Sequence, residues 1–196
     1  LRVVYKDGNQ VTNLRFVSYE VLDGKYSLEG LPAMYQGEEK AETLKIILRD
    51  IHRELEVNLY YGVFENLDII TRACKIVNLG KEKVHVRRAY SMCLDFPEKG
   101  MDFIHFHGRH AMERMMERSH LHHGIQGVGS RRGYSSHQYN PFVMLAKHDT
   151  TEDSGWCWGS CFVYSGNFQA EAEVSQANNT RLTMGIHDTQ FDFLLE

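Results

Sequence analysis

Glu54-Leu55-Glu56-Val57-Asn58-Leu59-Tyr60-Tyr61-Gly62-Val63 decides the fold class. Leu55, Val57, Leu59, Tyr61 and Val63 alternate with Glu54, Glu56, Asn58, Tyr60 and Gly62. A period of two sustained over this length predicts a β-strand with one buried face and one wetter face. The same period continues outward. Residues 69–77 run into Asn78-Leu79-Gly80-Lys81 and then into residues 84–94, which predicts an antiparallel hairpin. Asp7-Gly8 and Asp23-Gly24 are further hairpin turn signals, because both dipeptides tolerate positive φ. Only residues 111–118, AMERMMER, have helical composition. Many short antiparallel strands separated by turn signals describe an all-β protein, a large two-sheet β-sandwich with at most a minor helix. A (β/α)₈ barrel, with eight helices alternating with eight strands, is excluded.

At 196 residues, 42% hydrophobic and 24% charged, the chain can build one large core and reads as a single domain over residues 1–196. Its net charge of −4, with Lys and Arg scattered, offers no basic stripe for nucleic acid. No apolar run approaches the roughly 20 residues of a membrane-spanning helix, so no membrane partner is expected. The chain starts at Leu1 without a signal segment and stops at Phe193-Leu194-Leu195-Glu196 in mid-strand pattern. Both ends read as cuts in a longer polypeptide.

The cysteines are Cys74, Cys93, Cys157 and Cys161. Cys157 and Cys161 fall in one extended segment, roughly 13 Å apart at ~3.3 Å per residue. The Cα limit for a disulfide is ~7 Å. All four are therefore expected to be reduced and partly buried, which fits a cytoplasmic protein. Six of eleven histidines bunch at His105, His107, His110, His120, His122 and His123. His105-x-His107 and His120-x-His122 each place two imidazoles on one strand face, a workable geometry for zinc or nickel. No cysteine or carboxylate completes a recognised spacing, so surface histidines and no bound metal or cofactor are expected. Trp156, Trp158, Tyr134, Tyr139 and Tyr164 could stack on sugars, but core packing is the expectation for Trp158 and Tyr164.

The densest motif is residues 132–142, RGYSSHQYNPF, followed by Phe162-Val163-Tyr164-Ser165-Gly166-Asn167-Phe168. Together the two stretches resemble the signature of the N-terminal domain of glycoside hydrolase family 36, the bacterial-type α-galactosidases or melibiases. Leu31-Pro32-Ala33, Ala41-Glu42-Thr43-Leu44, Val63-Phe64 and Glu152-Asp153-Ser154-Gly155 follow in the family's order, so the resemblance spans nearly the whole chain. It implies a supersandwich fold and an extended conformation for residues 111–118. It also implies a catalytic (β/α)₈ barrel, with an Asp nucleophile and an Asp acid/base, beyond Glu196. A Gly-x-Gly-Asp-x-Arg-like motif found upstream in similar enzymes has no counterpart here.

On that reading the parent is a retaining hydrolase of terminal α-galactosyl residues of melibiose or raffinose type. It would be a homo-oligomer, a tetramer in similar enzymes, and this chain would be its inactive accessory domain. Retaining glycosidases need two carboxylates ~5 to 5.5 Å apart. Glu152-Asp153 and Glu171-x-Glu173 are the nearest to paired here, and both read as solvated edges. Arg132, Gly133, Ser135, Ser136, His137, Asn140, Pro141 and Phe142 form a polar, conformationally fixed loop. Gly133 permits a geometry closed to other residues, the short polar side chains bond nearby backbone, and Pro141 forces Asn140 to be extended. Its expected role is bracing the sandwich against the barrel. A galactoside-binding module of sandwich type is the alternative, and the histidines alone raise a third, a metal-binding β-protein.

Overall fold

A computed structural model describes residues 1–196 and contains fifteen strands and no helix. The first seven are β1 (Arg2–Val4), β2 (Arg15–Asp23), β3 (Ala41–Asp50), β4 (Leu55–Phe64), β5 (Ile69–Asn78), β6 (Val84–Arg88) and β7 (Met92–Phe96). Next come β8 (Met101–Arg109), β9 (Met112–His120), β10 (Gly124–Gly129), β11 (Tyr139–Lys147) and β12 (Cys157–Cys161). The last are β13 (Phe168–Val174), β14 (Thr180–Ile186) and β15 (Phe193–Leu195). The chain is all-β, as its periodicity requires, and the strands form four antiparallel sheets. Where the sequence reads as one domain, contacts gather into two compact units: Leu1–Ser91 with Gln190–Glu196, and Met92–Thr189.

The first unit holds the meander β2-β3-β4-β5 and the small sheet β1-β6-β15. Val3, Tyr5, Leu55, Val84 and Val86 form its core, with Ile76, Ala89, Phe191 and Leu195 packed on them. The alternation in β4 predicts one buried face along its whole length, and the structure differs. Leu55 and Val57 are buried at one end, whereas at the other Val63 is exposed and Phe64 is buried. Neither ladder of β4 shifts register, so the faces have not swapped. The second face is covered at its far end by the segment after β2, where the Tyr26 and Tyr60 rings lie 5.3 Å apart. Asp50, buried at the end of β3, clamps the neighbouring turn. Its carboxylate accepts from the backbone N–H groups of Asn13 (2.6 Å), His52 (3.0 Å) and Arg53 (3.1 Å).

Two local readings are corrected. The hairpin across residues 69–94 does not form: β5 pairs only with β4, and the chain crosses to β6, which pairs with β1 and β15. The single strand expected over 84–94 is broken into β6 and β7, in different sheets. Period-two alternation identifies a strand but not its partner. Gly8 and Gly24 both have positive φ. Gly8 closes a tight turn, donating its N–H to the Tyr5 carbonyl (2.8 Å) while Tyr5 donates to the Asn9 carbonyl (2.9 Å), whereas Gly24 opens the long connection of residues 24–40 between β2 and β3.

The second unit is a sandwich of β10-β13-β14-β7 and β12-β11-β8-β9. Met101, Phe103, Val143 and Leu145 of one sheet meet Phe168, Ala170, Ala172, Leu182 and Met184 of the other in a continuous core. Trp158 is half-buried against that core, its ring 5.1 Å from Phe96. The AMERMMER segment is extended: Ala111, at φ 63°, turns β8 into β9, and the backbone ladder of β8 holds Met112–His120 as a strand. Tertiary pairing overrides helix propensity there. All nine residues of β9 are exposed.

Candidate functional site

Residues 130–142 and 164–168 are stitched into one polar ridge on the second unit. Gly133, at φ 88°, donates its N–H to the Asn167 side chain at 2.6 Å. Ser135 pairs twice with the second stretch: its N–H donates to the Ser165 carbonyl (2.9 Å) and its hydroxyl to the Tyr164 carbonyl (3.2 Å). The Ser130 hydroxyl donates to the Tyr134 carbonyl at 2.6 Å. Ser136 bridges to Tyr139, and its hydroxyl accepts the Gln138 N–H at 3.2 Å, so residues 136–139 close a tight turn with His137 exposed at its tip. The Arg132 guanidinium lies 5.8 Å from the centre of the Tyr139 ring. The short polar residues thus fix the backbone locally, which is what their chemistry favours.

Asn140 and Pro141 lie at the start of β11, where its ladder with β8 is irregular between Tyr139 and Val143. Proline has no N–H to donate, so a break there is expected. The Pro141 carbonyl accepts the Phe162 N–H at 2.8 Å, and Phe142 packs beside Phe106 at 5.9 Å. The Asn140 Oδ1 is buried and has no hydrogen-bond partner. All eight residues of the motif therefore belong to one assembled feature. Arg132, Gly133 and His137 face solvent, and Ser135, Ser136, Asn140, Pro141 and Phe142 are half-buried.

The other candidates divide. Trp156 is 68% exposed and stacks on Trp158 at 6.4 Å and 18°. Tyr164, half-buried, packs on Phe162 at 5.6 Å. No cysteine is in a disulfide, but Cys93, Cys157 and Cys161 are exposed, not partly buried as composition leads one to expect. They stand on outward faces of β7 and β12. His105 and His107 do share a face, with rings 6.3 Å apart, and burial lowers the His105 pKa. His120 and His122 do not pair: β9 ends at His120 and Leu121 turns into the core.

Glu171 hydrogen-bonds the Gln169 amide, and Glu152 and Asp153 are exposed in a turn. Asp95 is paired with Arg181 at 2.6 and 3.1 Å, and that bond lowers its pKa. A glycosidase acid requires the opposite shift.

Linear spacing gave no sign of one cluster. Asp102 on β8, its side chain 5% exposed, accepts from Arg118 Nε at 2.7 Å on Oδ2, from His120 Nδ1 at 2.9 Å on Oδ1 and from His148 Nδ1 at 3.0 Å on Oδ1. Burial alone would raise its pKa, but the bonds from His148, His120 and Arg118 outweigh it and hold the carboxyl down at about 2. The partners are 16 to 46 residues away in sequence and meet only because β9 and the end of β11 flank β8.

The chain matches the description of the glycosyl hydrolase family 36 N-terminal domain over residues 1–196. It is 48% identical over 195 residues to the bifunctional α-galactosidase/sucrose kinase AgaSK of Mediterraneibacter gnavus, covering 100% of this chain and 21% of that protein. It is 43% identical over 196 residues to the α-galactosidase AgaA of Geobacillus stearothermophilus, covering 100% of this chain and 27% of that protein. Among solved structures, the galactosidase domain of AgaSK superposes with a TM-score of 0.95 at 47% identity, over 99% of this chain and 27% of that one. AgaA superposes at 0.96 and 43%, over 100% and 27%. The chain thus spans about a quarter of the length of these relatives.

Proposed function

Because the chain belongs to glycosyl hydrolase family 36 as its N-terminal domain, we propose that it is the non-catalytic, strand-built part of an α-galactosidase. The observation that carries this reading is a match along all 196 residues to proteins named α-galactosidases, of which it covers only 21% and 27%. The proposed parent removes terminal α-D-galactosyl residues from melibiose- or raffinose-type sugars. AgaA variants have been crystallised with raffinose and with stachyose, which supports that substrate class. Two carboxylates about 5 to 5.5 Å apart would perform retaining hydrolysis, and we place them on a barrel outside these residues.

The ridge at 130–142 is assigned to bracing that barrel. Its backbone is fixed by its own side chains and by residues 164–167, which gives the rigid surface that bracing requires. Assembly of the parent as a homotetramer in the cytoplasm belongs to the same proposal. Cys74, Cys157 and Cys161 are free thiols, which favours a reducing compartment. The test compares the 196-residue chain with its parent on an aryl α-galactoside and on raffinose. Turnover by the parent and none by the chain is the expected result. Turnover by the chain that one carboxylate substitution abolishes would overturn the assignment. Galactose binding by the chain alone would transfer it to the binding-module class.

A further inference from the structure

We propose that Asp102, His120 and His148 form a binding site for a divalent transition-metal ion of the zinc class. Asp102 and His120 are cross-strand partners of β8 and β9. His148 directly follows β11, whose Ala146 is the partner of Asp102 on the other side. Three adjacent strands thus deliver two imidazole nitrogens and one carboxylate oxygen, with all three ligand atoms within 4.8 Å of one another. Both Nδ1 atoms lie 2.9 to 3.0 Å from the same Oδ1. Tetrahedral zinc, with bonds of ~2.0 to 2.2 Å, sets its ligands about 3.3 Å apart. Asp102 Oδ1 is thus already near ligand spacing from both nitrogens, and rotation of the two exposed imidazoles would bring the nitrogens to it.

The supporting shell is already built. Arg118 holds Oδ2, which His148 Nδ1 also reaches at 3.2 Å, and its remaining nitrogens donate to the carbonyls of Lys147 (3.3 Å), His148 (3.0 Å) and Thr150 (2.7 Å). It therefore fixes both the carboxylate and the backbone that carries His148. Such outer contacts are what hold metal ligands in register. The carboxylate is buried, while the His120 and His148 side chains are 54% and 72% exposed, so the ion has a path in and room for a water as fourth ligand. Two nitrogens and one oxygen suit zinc, cobalt, nickel or copper; magnesium and calcium prefer all-oxygen cages. A neutral imidazole that exchanges its Nδ1 proton for the ion carries that proton on Nε2 instead. A protonated ring releases one proton to solvent.

The experiment titrates zinc chloride into chelator-stripped protein by calorimetry, with thermal melts alongside. One ion per chain is expected, with a raised melting temperature. His120→Ala and His148→Ala should each weaken binding at least tenfold and abolish the zinc-dependent shift, while His122→Ala should leave both unchanged. The variants retain every cysteine, so adventitious thiol binding would survive in them. Both histidines are exposed, and unchanged metal-free melts would show that the variants fold. Binding undiminished in the His120 and His148 variants, loss in the His122 variant, or no stoichiometric binding at all would overturn the site.

Discussion

Gly155→Ala should be among the most damaging single substitutions in the second unit, for a reason that separates it from Gly133→Ala. Both glycines have positive φ, 109° and 88°. A Cβ on Gly133 meets nothing within 4 Å, so an alanine there bears only the left-handed backbone penalty, about 1–2 kcal/mol. A Cβ on Gly155 would lie 2.6 Å from Thr150 Oγ1, 2.7 Å from its Cα and 2.9 Å from its Cβ. The obstacle is backbone, so it cannot swing aside. Thr150 is also held in place: its hydroxyl donates to the Trp156 carbonyl (2.9 Å) and accepts the Trp156 N–H (3.1 Å), and its carbonyl takes the Arg118 bond. Forced overlap of this kind typically adds about 1–3 kcal/mol, giving about 2–5 kcal/mol in all. For a chain of this size each kcal/mol lowers Tm by about 2–4 °C, so Gly155→Ala should melt about 10 °C lower and Gly133→Ala about 4 °C lower. Urea and thermal unfolding of the two variants beside the parent sequence measure this directly. Equal losses would show that the turn at 148–156 yields to an added methyl, and the steric account would fail.

Phe168→Ala, which empties the fully buried centre between the two sheets of the second unit, should destabilise by about 3–5 kcal/mol in urea unfolding. The Asp50 carboxyl lies below its ordinary pKa: burial opposes this, but the backbone donors of Asn13, Arg53 and His52 prevail. A group depressed in the folded state stabilises above its unfolded pKa of about 3.9 and loses that contribution as pH falls through the folded value. The stability gap between the parent sequence and Asp50→Asn should therefore be full at pH 7 and shrink below about pH 4; a constant gap would refute the pairing. His137→Ala and Asn140→Ala should lower the melting temperature of the proposed full-length enzyme more than that of the isolated chain. A raised KM with unchanged melting would instead make these residues sugar ligands.

Strand identity was legible because alternation is a local property. The β4 pattern and its neighbours carry it, and AMERMMER was readable as a strand only through family resemblance, since its own propensity points the other way. Partner choice was not legible. Residues 69–77 and 84–94 both read as strands flanking a turn, and nothing local says that the turn between them leads to another sheet. The signature loop stands out in the sequence as a motif, and its bonding follows from glycine, serine and asparagine chemistry. Its pairing with residues 164–168 needed the fold. The Asp102 cluster was invisible for the same reason: His148 lies outside the histidine-rich run, and the carboxylate that joins it to His120 comes from a third strand.

The small sheet has its central strand, β6, paired on one side by β1 and on the other by β15. The His85–Asp192 contact closes 107 positions, all of the second unit included. Chain entropy alone opposes that closure by on the order of 4 kcal/mol. During synthesis from the N-terminus, residues 92–189 form a contiguous piece that can complete its own core first. Until Phe193–Leu195 emerge, one side of β6 remains an open row of backbone donors and acceptors. A nascent chain delayed at that stage presents this edge to its neighbours, and a second copy's β15 fits it as well as its own. Exchange of β15 between chains is thus the misassembly this order of elements makes easiest.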